Sequence, residues 1–233
     1  MINGFYSARS GAIGSQNSLD ITANNIANVN TQGYKTQRAV FSELMSTTVN
    51  GSDISVGNGS RVSAVNRDTE NGAPANMGLT LDAAIHGDGY FAVKGYDGEI
   101  SYTRCGNFLL SEENGANYLV TSSGEYILGA DGGKIKVENG SESDSIYKAA
   151  LYRFDNPEAM MLLGGGKYAV SENSGEAIPD SESEITVHTE EQSNVEIISE
   201  MTDMIRAQRS FQYNIKMVQT ADEIEQTVNS LRN

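Results

Sequence analysis

The side chains able to do chemistry are few and scattered. The 233-residue chain has one cysteine, Cys105, and two histidines, His86 and His188. A nucleophilic thiol needs a base held beside it, and no imidazole lies near Cys105 in the sequence pattern. His86 with Asp82 and Asp88 has the donor atoms of a metal site, yet the second histidine is 102 positions away and the set is incomplete. Gly87-Asp-Gly-Tyr-Phe-Ala92 matches the G-x-G-x-x-A form of a dinucleotide-binding turn. That motif needs a helix to follow it, and β-branched and aromatic residues occupy that place here. Gly164-Gly-Gly-Lys-Tyr168 lacks the first glycine of a phosphate loop and has tyrosine where a magnesium-binding hydroxyl belongs. Carboxylates are abundant, but nothing singles out an acid and base pair. The expectation is a protein with no catalytic, cofactor or metal site, and not an enzyme.

The elements that would position any site point to self-association instead. Met1, Phe5, Ala8, Ala12, Ser15, Leu19, Thr22, Ile26 and Val29 follow a four-three spacing along one seam of a helix. The seam is thin, with alanine, serine and threonine prominent, and suits close approach of a neighbouring helix. Gly4, Gly11 and Gly14 weaken it by roughly 1 kcal/mol each relative to alanine, so it is expected to order only when packed. Gly33 is placed to cap the helix in the left-handed conformation. At the other end, Ser193-Asn-Val-Glu196 reads as a capping box, and neither glycine nor proline follows residue 180. Met201, Met204, Gln208, Phe211, Ile215 and Val218 keep heptad spacing, after which the seam shifts by one to Ala221, Ile224, Val228 and Leu231. These large side chains complement the small ones of the first helix, so the two ends are expected to pack together.

Between them the pattern is short β runs broken by glycine: 62–65, 90–93, 100–103, 117–120, 126–128, 134–137, 146–154, 167–170 and 184–187. Turn dipeptides stand at Asn71-Gly72, Asn114-Gly115 and Asn139-Gly140. This predicts antiparallel sheets folded on themselves. The net charge of −15 is concentrated here. Residues 1–60 carry three acids against three bases, 61–189 twenty against nine, and the remainder eight against four. No basic cluster exists to neutralise phosphates, which argues against nucleic acid and anionic membranes. No run approaches the roughly 20 apolar residues of a membrane span, and the N-terminus does not read as a cleaved secretory signal.

The segment Ala23-Asn-Asn-Ile-Ala-Asn-Val-Asn-Thr-Gln-Gly-Tyr-Lys35 resembles the N-terminal signature of the bacterial flagellar basal-body rod protein family. The likeness continues through Arg38 to Met45, Leu81 to Phe91, Tyr102 to Phe108 and Glu191 to Val195, and is strongest to the distal rod protein and its proximal-rod relative. The stretches 47–58 and 134–147 are shorter than a distal rod protein would have. The resemblance implies a structural subunit of the rod, which polymerises through its terminal helices into a tubular axis carrying torque from motor to hook. It further implies partners among copies of itself and other rod and hook axial proteins, export uncleaved through the flagellar type III apparatus, and a place in the basal body, in the cell envelope. Asn24, Asn25, Asn28, Gly33 and Tyr34 would then lie at the packed inner wall.

The expected architecture is α+β, a mainly antiparallel β domain flanked by coiled-coil-type helices that pack together. Residues 1–35 form the N-terminal helix, 36–60 a connector with a possible hairpin, 61–189 a β-rich outer domain and 190–233 the C-terminal helix. The seams add Leu19, Ile26, Met201, Phe211, Ile215, Val218, Ile224 and Val228 to the assembly interface. On sequence alone the alternative is a secreted β-rich binding or adhesin module oligomerised by the same helices; it would form a closed oligomer where a rod subunit continues as a helix. With no base or second thiol near it, Cys105→Ser is expected to leave assembly and motility unchanged, as swarming assays would read.

Overall fold

The computed structural model describes residues 2–48, 55–113, 115–138 and 141–232. Met1, Asn50-Gly51, Asn114 and Asn139-Gly140 lie outside them. The fold is α+β, as expected, with helices α1 (Ile2–Ala27), α2 (Glu142–Ile146) and α3 (Ile197–Arg232) and antiparallel strands between the two long ones. The chain divides into two compact units. A helical unit takes Met1–Ala27, Gln37–Arg67 and Glu196–Asn233, and a body takes Asn28–Thr36 and Asp68–Val195.

In the helical unit, α1 and α3 run antiparallel. Gly11 meets Asn214 and Ser15 meets Ser210, so residue numbers on one helix fall as those on the other rise. That register leaves the last ten or so residues of α3, about 15 Å of helix at 1.5 Å per residue, beyond the start of α1. The connector is a hairpin that extends past its expected end at residue 60. Gln37–Glu43 pairs with Ser60–Arg67, with a register shift between Val40 and Phe41, and Thr47–Thr48 pairs with Ser55–Val56.

The body is built on a ten-stranded antiparallel sheet among the described residues. Phe91, Val93, Phe108, Leu119, Ile127 and Ile146 fill one core cluster, and Tyr90, Tyr102, Phe154, Met160 and Tyr168 a second, joined by edge-to-face ring contacts. Two small ladders bring the two ends of the body together: Ala83–His86 with Glu184–Val187, and Pro74–Asn76 with Thr189–Glu191. Between the last two strands His188 turns the backbone at φ +59°, a conformation uncommon outside glycine, so that successive strands can pair with different partners. Its N–H donates to the Asp82 carbonyl at 2.7 Å.

Three local readings are corrected. Helix α1 stops at Ala27 rather than at a Gly33 cap: Asn28-Val-Asn-Thr forms a turn, with the Thr31 N–H on the Asn28 carbonyl at 3.0 Å, because asparagine favours such turns over helix. Helix α3 begins at Ile197 and the Ser193 capping box does not form. Asn194 is committed elsewhere, and the Ser193 hydroxyl accepts from Val195 at 3.3 Å instead. Ile146 closes α2 rather than opening a strand, which starts at Leu151, since the Ala149 N–H returns to the Ile146 carbonyl at 2.9 Å.

Backbone approach sets one sharp requirement. A Cβ on Gly106 would lie 1.5 Å from the Ala83 carbonyl oxygen, the group next to the Ala83 N–H that donates to Gly106 at 3.0 Å. Gly106→Ala is expected to lower body stability by about 2 to 3 kcal/mol through forced backbone displacement, read as a drop in the melting temperature of the purified chain.

Candidate assembly interface

The small side chains of α1 are used first within the subunit. Ala8, Ala12, Ser15 and Thr22 are buried. A Cβ on Gly11 would come within 2.9 Å of Asn214, and one on Gly14 within 3.1 Å of the Phe41 ring, so these glycines let α3 and the hairpin lie close. Gly59, at φ +97°, brings the hairpin backbone onto Ser7 and Ser10. The helix cost of Gly11 and Gly14 is the condition for that approach. Asn25 is buried for a different reason. Its amide donates to the Gln37 carbonyl at 2.8 Å and accepts from the Gln37 N–H at 3.0 Å, which gives the hairpin's first residue a substitute strand partner. Beside it an open cleft of about 430 Å³ is lined by Ser15, Ile21, Arg38, Phe41, Asp203 and Arg206 among others.

Helix α3 turns Glu200, Met204, Ala207, Phe211, Asn214, Ile215, Val218 and Ala221 inward, where they are buried or half-buried. The seam expected through Met201 and Gln208 is therefore displaced by one residue in this region, and Met201 is 55% exposed. A second apolar stripe remains. Tyr213, Met217, Ile224, Val228 and Leu231 share a face at helical spacing and are exposed, Ile224 at 44% and Val228 at 48%. The last three fall on the turns that extend past α1. Of the residues expected at the interface, Leu19, Ile26, Phe211, Ile215 and Val218 are half-buried, whereas Asn24, Met201, Ile224 and Val228 are exposed. Charge follows the same division: the helical unit has nine acids and eight bases, the body twenty-two and eight.

Asn28, Gly33 and Tyr34 belong to the body, and their segment is held by buried charge. The Lys35 ammonium donates to Glu191 Oε1 at 2.6 Å and to the Glu70 carbonyl at 2.7 Å. Burial pushes the Lys35 ammonium below its ordinary value, against the pull of Glu191. Arg104 lies 3.5 Å from Glu191 Oε2, donates to Asn71 and to the Gly87 carbonyl, and stacks on Tyr90. Gly33, at φ +62°, donates to the Glu191 carbonyl at 2.9 Å and passes so close to Arg104 that a Cβ would sit 3.1 Å from its backbone. The Asn194 side-chain Oδ1 accepts from the Thr36 N–H at 2.7 Å and hydroxyl at 2.8 Å, while its Nδ2 donates to the Asp68 and Glu70 carbonyls. Lys35, Arg104, Glu191 and Asn194 were not singled out from the sequence. All four lie in stretches that carry the family resemblance, Asn194 also within the supposed cap, but their pairing spans too many residues for any periodicity to show.

A second buried cluster joins Asp82 and Glu190. Each shifts the other, and burial, the largest cause, raises both above the usual carboxylate range. Gln32 donates to Glu190, His188 lies close enough to favour ionised Asp82, and Cys105 Sγ is 3.7 Å from the Gln32 amide oxygen. Burial pushes the Cys105 thiol up, so it is a poor nucleophile. Among the described residues no group of three or more His, Cys, Asp or Glu side chains is arranged to hold a metal ion.

Comparison with known proteins gives three family matches. A model described as Flagella basal body rod protein matches residues 5–35, Flagellar hook protein FlgE/F/G D1 domain matches 84–149, and Flagellar basal body rod FlgEFG protein C-terminal matches 188–231. The flagellar basal-body rod protein FlgG of Bacillus subtilis (strain 168) is 33% identical, with 100% of each chain covered. That of Borreliella burgdorferi is 31% identical over 100% of this chain and 99% of the relative. The flagellar hook protein FlgE of Helicobacter mustelae is 36% identical over 55% of this chain and 31% of its own length. The first alignment runs over 267 positions, more than the 233 residues here, so this chain has gaps against its relative.

The raised carboxyl pair sets a pH dependence. A folded-state value above the unfolded one means that folding retains a proton at low pH and is penalised as pH rises through the unfolded value, 4.5 for Glu190, towards the higher folded value. Glu190→Gln keeps an oxygen for Gln32 and removes the penalty. The variant body is expected to melt higher than wild type at pH 7, with the gap closing as pH falls below about 4.5, in paired thermal scans across pH.

Proposed function

The chain belongs to the flagellar basal-body rod protein family, and from that premise we propose that it is a structural subunit of the rod. Its terminal helices bundle with those of neighbouring copies into a tubular axis that carries torque from motor to hook. The observation that carries this reading is the second apolar stripe of α3, from Tyr213 to Leu231. A helix already packed on one face, with large side chains exposed on another, has a surface suited to more helices. The near-neutral helical unit supports it too, since many copies can crowd together without accumulating charge.

The interface divides by role. Ile224, Val228 and Met201 are the groups offered to neighbours, and Asn24 is exposed on α1. Leu19, Ile26, Phe211, Ile215 and Val218 stabilise the helical unit that makes the offer. Asn25, Gly33, Asn28 and Tyr34 fix the chain path around the helix ends. The partners are copies of this chain and other axial proteins of rod and hook, reached after export through the type III apparatus. The subunit works as a structural element, without catalysis. An adhesin-like binding module finds no support in relatives named as rod and hook proteins.

The test uses Ile224, whose side chain is not needed inside the subunit. Burying such a residue is worth roughly 1.5 to 3 kcal/mol, and an unpaired carboxylate costs more. Ile224→Asp is expected to leave the melting of helical unit and body unchanged and to abolish polymer formation, seen by electron microscopy and sedimentation, while Glu225→Gln assembles normally. Ile215→Asp, on the inward face, should in contrast also lower helicity in the monomer. Normal assembly of Ile224→Asp would overturn the reading.

A further inference from the structure

The large sheet of the body ends on a strand that is uncovered along one side. Met161–Gly164 pairs with Lys167–Ala169, Met161 opposite Ala169 and Leu162 opposite Tyr168, and is the terminal strand of its path. Its residues are exposed, Met161 at 60% and Leu163 at 53%, and Val170 nearby is exposed as well. Edge strands are usually blunted with charge or proline because their unpaired backbone groups recruit other chains. This one has neither, though it is four residues long and its register shifts between Leu162 and Gly164. No aspartate or glutamate occurs between Glu158 and Glu172, in a body that has twenty-two acids against eight bases. Two copies of so acidic a body repel each other, and the repulsion is weakest where the acids are missing.

The same sheet has a second edge that exposes apolar side chains. Phe108–Glu113 pairs along one side with Ala116–Thr121, exposes Leu109 and Leu110, and ends on Ser111-Glu112-Glu113. The first edge carries no acid of its own, and the cation beside it, Lys167, is paired with Glu125 at 2.7 Å; on the second, Glu113 is paired with Lys134 at 2.9 Å, so apolar side chains are what the two edges have in common. Joining unlike edges of successive copies is heterologous and leaves one free edge at each end, so it propagates, whereas joining like edges closes a dimer.

We propose that the open edge of Met161–Gly164 is a docking surface for a second copy of this chain, which it takes by strand addition along the neighbour's Phe108–Glu113. Main-chain hydrogen bonds hold the pair, and Met161, Leu162 and Leu163 cover the neighbour's Leu109 and Leu110. This rests on the rod-subunit reading and adds a contact between bodies to the bundling of helices.

The test is made on full-length chain polymerised from purified subunits. Leu162→Glu is expected to raise the critical concentration for assembly roughly tenfold or more, with the melting of the body unchanged in the monomer. In a Cys105→Ser background, Leu163→Cys combined with Leu110→Cys should give a ladder of cross-linked oligomers on mild oxidation of the polymer, and Leu163→Cys alone none. Dimers from Leu163→Cys alone would mean that like edges meet and would overturn the proposal. A missing ladder would overturn the choice of neighbouring strand. If wild type assembles, Ile224→Asp does not, and Leu162→Glu behaves as wild type, the edge contact fails while the helical reading stands. A wild-type chain that forms no polymer overturns both.

Discussion

Glu191 is 3% exposed, and Lys35 comes to it from the other end of the body's sequence, with Arg104 3.5 Å from its second oxygen. Removing a carboxylate or an ammonium from water costs several kcal/mol each, and a buried pair recovers that only with good geometry and further hydrogen bonds. The further bonds are present: Glu70 supplies a carbonyl to the ammonium, and the Gly72 N–H reaches the carboxylate at 2.9 Å. The organisation of the body follows from this constraint. Residues 28–36 must be drawn out of the helical unit to deliver Lys35, Gly33 must turn in the left-handed region to clear Arg104, and the strand bearing Glu191 must end where the chain leaves for α3. The polypeptide crosses between the units after residues 27, 36, 67 and 195, and the body's own ends at three of those crossings meet at Asn194.

The helical unit obeys a different economy. Its first helix gives up intrinsic stability at glycine and its apolar area at alanine and serine, and in return permits backbone approach on two sides, to Asn214 and to Phe41. Its second helix is the reverse, rich in large side chains on more than one face. A pair of this kind satisfies one stripe within the subunit and keeps another. The retained stripe is the property that separates a subunit of an assembly from an ordinary helical hairpin, whose outward face would be polar.

What could be read in advance follows from the range over which each signal acts. The two long helices, most strands of the body and the inward placement of Ala8, Ala12, Ser15 and Thr22 were legible, because periodicity and glycine punctuation are local. The ends of elements were less legible. Gly33 suggested a cap, and it does take a left-handed conformation, but to pass Arg104 rather than to end α1. Ser193 suggested a capping box, but Asn194 was already bound to residues more than a hundred positions earlier. The pairing of Gln37–Glu43 with Ser60–Arg67 was half visible as a possible hairpin, and its extent was not, since the partner strand was read as the start of the body. Lys35, Arg104 and Glu191 are ordinary surface residue types until the fold brings them together.

Repetition changes what small interactions can do. An exposed Ile224 or an open edge at Met161 contributes little to one subunit, and single exposed apolar groups need no explanation in a monomer. In a polymer each contact recurs in every copy, and a subunit inside the array must break all of them at once to leave. Two modest contacts on different units therefore multiply in their effect on dissociation, because the second becomes intramolecular once the first is made. The division of charge fits that arrangement. The near-neutral helical unit sets no electrostatic limit on crowding, whereas the acidic body resists association except where its acids are absent. A body that repelled everywhere would leave contacts between copies to the helices alone; an acid-free stretch is where that repulsion is weakest.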